Sequence, residues 1–117
     1  MNDLASKWIA DRSALPGMIG CGVSEPGGNC LCQSANELIC PSGKLEQILH
    51  QIVGAKTRLA ADGVSPLWQT WVFAHGKIRS ATRPDGWIMV AVVNEEPAGA
   101  KTLDTLTTEF LALAPGN

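Results

Sequence analysis

Four cysteines, Cys21, Cys30, Cys32 and Cys40, fall within twenty residues of one another. They are the side chains in this chain best suited to chemistry. A hairpin turning about Pro26-Gly27 would set Cys21 opposite Cys32 and Val23 opposite Cys30, with all three thiols on one face. Together with Cys40, such a patch could bind zinc or form a reversible disulfide. However, the Cys-x-Cys spacing lacks the two-residue knuckle of common zinc sites, and no histidine is close in sequence. A free cysteine is also a small buried hydrophobe. Core packing is therefore the preferred role, with no metal and no cofactor expected. A thiol-based metal-binding or redox module built on the four cysteines is the alternative.

The remaining inventory for catalysis is thin. There is no tyrosine, and the only histidines are His50 and His75. His50 rides beside the apolar stripe of a helix and His75 sits in a turn. Neither has a nearby serine or cysteine nucleophile with an orienting carboxylate. Gly20-x-Gly22 and Gly27-Gly28 are not phosphate loops, because no Lys-Ser/Thr follows and the next element is a strand. They fit a strand approached closely by a helix, and a turn. The expectation is a protein that is not an enzyme.

Composition narrows the class further. A chain of 117 residues, 45% of them apolar, is long enough for one domain with its own core, expected over residues 1–117 with the packed part at about 3–113. A net charge of −2 and a pI near 5.6 speak against nucleic acid, which needs a basic stripe. The longest apolar run, Trp87 to Val93, is far below the roughly 20 residues of a membrane span. The polar start Met1-Asn2-Asp3 is unlike a signal peptide. A cytoplasmic protein with reduced thiols is expected.

These residues need elements to hold them. Leu4, Trp8 and Leu15, with Ala5 and Ile9, predict a helix over residues 3–14, ended by Pro16-Gly17. Met18 to Ser24 alternates, with Ile19, Cys21 and Val23 on one face, and Cys30 to Gln33 completes a hairpin. From Ser42 to Ala61 the period becomes helical, with Leu45, Ile48, Leu49, Ile52 and Leu59 in an apolar stripe. Ser42 is the expected N-cap and Asp62-Gly63 the stop. A three-strand meander follows: Pro66 to Ala74, Lys77 to Arg83, and Trp87 to Asn94. Its first turn is His75-Gly76, with glycine expected at positive φ, and its second lies at Pro84-Asp85-Gly86. A last helix opens at Pro97 and carries Leu103, Leu106, Phe110 and Leu113.

Pairing Ala74 with Lys77, and allowing two or four residues in the second turn, sorts the meander into two faces. One carries Trp71, Phe73, Ile78, Trp87, Met89, Ala91 and Val93. The other carries Trp68, Thr70, Val72, Arg79, Ala81, Arg83, Ile88, Val90 and Val92. Both need cover, which predicts helices on both sides of an antiparallel sheet. Near Arg79 and Arg83 the cover is either incomplete or supplied by a second chain. Pro66 suits an edge strand. An edge bearing Trp68 and Trp71 is better paired than bare, which predicts a homodimer, unless both tryptophans are simply core.

The order α–ββ–α–βββ–α and several local signatures resemble the roadblock family of dynein light chains and their bacterial relatives. The likeness runs over about residues 3–113. Pro16-Gly17-Met18-Ile19-Gly20-Cys21-Gly22-Val23 is similar to that family's first strand. The turn at Gly27-Gly28, the long helix from Ser42 and the Asp85-Gly86 turn before an apolar strand also fit. The first hairpin lacks the family's usual aspartate before glycine, and the cysteines are unusual for it. Related profilin and longin folds share the order.

The resemblance implies an α+β, three-layer fold with a five-stranded antiparallel sheet, the central helix on one side and the terminal helices on the other. It also implies a homodimer through the third strand and central helix, here Ile48, Ile52, Leu59, Trp68, Thr70 and Val72. The implied role is that of a non-catalytic scaffold or regulator of a small Ras-like GTPase, or a binder of another protein partner.

Overall fold

The central helix forms over the range its apolar stripe predicts. In a computed structural model describing residues 3–12, 14–26, 29–63, 68–74, 76–83 and 85–112, with side chains from residue 7 onward, it spans Ser42–Ala61 (α2). Leu45, Leu49 and Ile52 are buried on its sheet-facing side. Its C-terminus stops where expected: Gly63 takes φ 82°, and the Asp62 and Gly63 N–H groups donate back to Arg58, Leu59 and Ala60 carbonyls. Its N-terminus differs. Pro41 is the N-cap and Ser42 does not cap; instead the Glu37 carboxylate accepts from Ser42 N–H (3.1 Å) and Ser42 Oγ (2.7 Å). A side chain one turn upstream thus does the work a capping serine would do.

The other elements are α1 (Asp3–Arg12), β1 (Met18–Ser24), β2 (Cys30–Ser34), β3 (Trp68–Phe73), β4 (Gly76–Thr82), β5 (Ile88–Asn94) and α3 (Pro97–Ala112). The five strands form one antiparallel sheet in the order β2-β1-β5-β4-β3, an α+β fold with helices on both sides. On one side α2 covers β1 and β2, packing Leu45, Leu49 and Ile52 against Ile19, Val90 and Val92. On the other, Trp8 and Ile9 of α1 and Leu103, Leu106 and Phe110 of α3 pack on Met18, Cys21, Val23, Met89, Ala91 and Val93. Leu113 and the Gly27-Gly28 turn lie outside the described residues, as do Pro66, His75 and Pro84.

Three hairpin connections decide which side each residue takes. Between β1 and β2 the last pair is Ser24 with Cys30, so Cys21 opposes Gln33 and Gly22 opposes Cys32. That is one residue away from the expected register, and one residue reverses the face. Between β3 and β4, Phe73 pairs with Gly76, two residues from expectation, which keeps the faces as read. Gly76 does not take positive φ. It is a strand residue, and a Cβ there would sit 1.9 Å from the Val93 carbonyl oxygen.

Between β4 and β5 the loop holds three residues, not two or four: Arg83 N–H donates to Trp87 O at 2.9 Å, and Gly86 has φ 93°. The odd count turns β5 over relative to the expected assignment. Ile78 and Ser80 now share the α2 side with Val92 and Val90, while Arg79 and Ala81 share the α3 side with Ala91 and Met89. Ile19 also changes sides. A register shift between Met18 and Gly20 leaves it as the extra residue of a bulge, which delivers it to the α2 cluster and away from Cys21.

Candidate protein-interaction site

Among the described residues, β3 is the outermost strand at one end of the sheet and pairs with β4 alone. Its other edge therefore offers alternating backbone N–H and C=O groups to a further strand. Its side chains are exposed as well: Trp68 to 48%, Trp71 to 38%, Val72 to 76% and Phe73 to 37%. Exposed aromatics on an unpaired edge are what a folded protein normally covers.

The register divides these side chains. Trp68, Thr70 and Val72 pair with Ala81, Arg79 and Lys77 and so lie on the α3 side. Trp71 pairs with Ile78, placing Trp71 and Phe73 on the α2 side. Because α2 packs over β1 and β2, this end of its own side is left without a helix; Ile78, Ile48 and Leu59 there are only half-buried. Trp71, Phe73, Ile78 and the flank of α2 thus make one apolar shelf continuous with the strand edge.

The six residues expected at an interface do not form one patch. Ile48 and Leu59 lie on the α2 flank, but Ile52 is buried within the protomer, against Leu49 and Val90. Trp68, Thr70 and Val72 lie on the opposite side of the strand. Two of these are already engaged. Arg79 stacks on the Trp68 ring at 4.6 Å, donates to Thr70 Oγ1 at 2.9 Å and pairs with Asp104 of α3 at 2.7 Å. Trp71 and Phe73, absent from the expected set, are the strand residues that share a side with α2. The signal that finds them is the strand's two-residue period, read with a three-residue β4–β5 loop.

The cover expected to be missing near Arg79 and Arg83 is present. Arg83 is buried, with its guanidinium 5.3 Å from the Phe110 ring and 5.9 Å from the Trp87 ring. It pairs with Asp85 and holds that carboxyl below its ordinary range.

The cysteines divide three to one, with Cys30, Cys32 and Cys40 on the α2 side and Cys21 apart from them. Cys30 and Cys32 share the α2 side with Gly22 and Leu49, whereas Cys21 packs on the opposite side among Ile9, Met18 and Val23. Among the described residues no three metal-ligating side chains are grouped. Burial pushes the Cys21 thiol up to about 12 and the Cys32 thiol likewise to about 12, with neighbouring cysteines a smaller cause. Burial also raises Cys40. The Cys21 and Cys32 thiols, held so high, stay protonated at neutral pH and are poor nucleophiles for disulfide exchange. Contrary to the sequence reading, His50 does have a cysteine and a carboxylate beside it on the exposed face of α2, with Nδ1 3.9 Å from Cys30 Sγ and Nε2 3.6 Å from Glu46, because β2 runs under this part of the helix. No described helix is long and apolar enough to cross a membrane.

Among solved structures, the chain is similar to MglB of Myxococcus xanthus, with a TM-score of 0.59 and 12% identity over 100% of this chain and 98% of the other. The chain has the roadblock fold. A roadblock/LC7 domain from Streptomyces avermitilis is also similar, at 10% identity and a TM-score of 0.47 over 96% of this chain and 98% of the other. No family model matches the sequence, and no curated protein does. Among the described residues, the strand bearing Trp71 and Phe73 is the end of the sheet, and α2 is the one helix on its side.

Proposed function

We propose that this chain is a non-catalytic, cytoplasmic protein that forms a homodimer and acts as a scaffold or regulator of a small Ras-like GTPase. The observation that carries the reading is the shelf on the α2 side of β3, where Trp71 and Phe73 stand exposed beside Ile78, Ile48 and Leu59. Two copies meeting edge to edge would pair β3 with its mate about a twofold axis and extend the sheet. The same operation brings the two α2 flanks together over Trp71 and Phe73, as an isologous interface requires. Backbone pairing and apolar burial are then obtained in one contact. The GTPase part of the reading draws on the resemblance of the sequence to the roadblock family, with which the likeness in fold to MglB agrees.

Light scattering at tens of micromolar, an order-of-magnitude choice near ordinary dissociation constants, tests the dimer. A mass of two chains is expected, and a monomer would overturn it. Pull-down from native cells, followed by a GTP hydrolysis assay with any small GTPase recovered, tests the partner. Recovery of no GTPase by a dimeric protein would remove that part and leave the dimer standing.

A further inference from the structure

Where β2 runs under α2, the two elements bring a thiol, an imidazole and a carboxylate into a row. Cys30 opens β2, and its Sγ lies 3.9 Å from His50 Nδ1. At the other nitrogen of the ring, His50 Nε2 lies 3.6 Å from Glu46 Oε1. Glu46 and His50 stand at i and i+4, so they share one flank of the helix. The 3.6-residue turn puts Ile48 and Leu59, the shelf residues of α2, on the opposite flank.

Such a row is ordered for proton transfer. A thiol S–H donates to an imidazole nitrogen, and an imidazole that takes the proton becomes a cation beside a carboxylate. The thiolate is the nucleophilic form of cysteine, and a neighbouring imidazolium favours it. Access sets Cys30 apart from the other thiols. Cys21 and Cys40 are buried, and burial holds the Cys32 thiol as high as that of Cys21. Cys30 is half-buried, but its contact with His50 is at the surface, and both His50 and Glu46 are exposed. Across the hairpin Cys30 faces the uncharged Ser24, and along its own strand the next residue on the α2 side is Cys32. Cys30 and Glu46 both bear electrostatically on Cys32, which places the carboxylate close to the strand thiols as well as to His50.

We propose that Cys30 is a modification site, a thiol that hydrogen peroxide oxidises to a sulfenic acid, with His50 as its base and Glu46 as the residue that positions His50. His50 Nδ1 takes the thiol proton. The sulfur then attacks one peroxide oxygen, and the S–O bond forms as the O–O bond breaks. Sulfur gives up an electron pair to the peroxide, and the departing hydroxide takes the proton from His50 and leaves as water. The change is to the chain itself and is independent of the dimer and GTPase readings.

The test treats the reduced full chain with hydrogen peroxide in the presence of dimedone and reads each cysteine by tandem mass spectrometry. Label is expected first at Cys30 and is lost in Cys30→Ser. His50→Gln, at an exposed position, is expected to keep the native circular dichroism and to label several-fold more slowly at neutral pH. A pH profile separates a base from a packing residue. Alkylation of Cys30 by iodoacetamide is expected to need higher pH in His50→Gln and, to a smaller extent, in Glu46→Gln. A sulfenic acid that condensed with Cys32 would escape dimedone, so the labelling is repeated in Cys32→Ser. Absence of label at Cys30 in both backgrounds, equal label at all four thiols, or a Cys30 rate and pH profile unchanged by His50→Gln would overturn the proposal. An unchanged profile in Glu46→Gln would overturn the positioning role of that carboxylate.

Discussion

Single residues in this chain are constrained by close approach more than by size. Gly76 begins β4 with Val93 O only 1.9 Å from where a Cβ would stand, so Gly76→Ala must part β4 from β5. Overpacking of this kind costs about 1–3 kcal/mol, and urea unfolding is expected to show at least that loss. Gly17 and Gly99 are similarly matched: a Cβ on Gly17 would lie 2.5 Å from Gly99 Cα, which is how α3 docks on the start of β1. Asp85 is constrained by charge. Arg83 depresses its pKa below the ordinary 3.8, so the pair's contribution is present above that value and lost as pH falls through the lower folded one. Asp85→Asn is expected to lower stability at pH 7 by about 1.5–3 kcal/mol, as for a hydrogen bond to a charged group. Repeating the urea titration at strongly acidic pH should find the gap between mutant and wild type narrowed.

Elements differ in how much of their behaviour is local. α2 carries its own stripe and stop signal, and it forms over the predicted span because both act within a few residues. Strand faces are not local in this way, since each depends on the length of the connection to its neighbour. Trp71 and Ile52 show the consequence. Trp71→Arg charges a half-exposed position on the α2 side of β3 and leaves the protomer core intact. We expect a folded monomer, with dimer affinity reduced by about 2 kcal/mol or more, as for an interfacial aromatic hot spot. Light scattering together with far-ultraviolet circular dichroism would read both parts. Ile52→Asp instead places a carboxylate in the core beside Leu49 and Val90, and the expected outcome is loss of the native circular dichroism itself. A folded, monomeric Ile52→Asp would contradict that burial.

At the scale of the whole molecule, dimerisation and stability are linked by mass action. If β3 and the α2 flank are covered only in the dimer, the unfolding midpoint rises with protein concentration. Calorimetry over a hundredfold concentration range is expected to show this for the wild type. The midpoint of Trp71→Arg should stay constant. A concentration-independent midpoint in the wild type, with dimer still present by scattering, would mean that the interface adds little to the fold.

The amino-acid sequence alone determined the element order, the span of the central helix and the edge position of the strand bearing the tryptophans. All of these rest on composition, period and turn residues that act over short separations. Only the tertiary structure decided which side chains share a face. Cys21 parts from Cys30 and Cys32 because the first hairpin closes at Ser24 and Cys30. Trp71 and Phe73 replace Trp68, Thr70 and Val72 beside α2 because the loop from Arg83 to Trp87 holds an odd number of residues. In a structure of period two, one residue in a turn reverses a whole strand, and turn length is set by how Gly86 and Arg83 bond across it. That dependence on tertiary closure put Trp71 and Phe73 beyond the sequence, while Ile48 and Leu59, on a helix whose stripe is local, were within its reach.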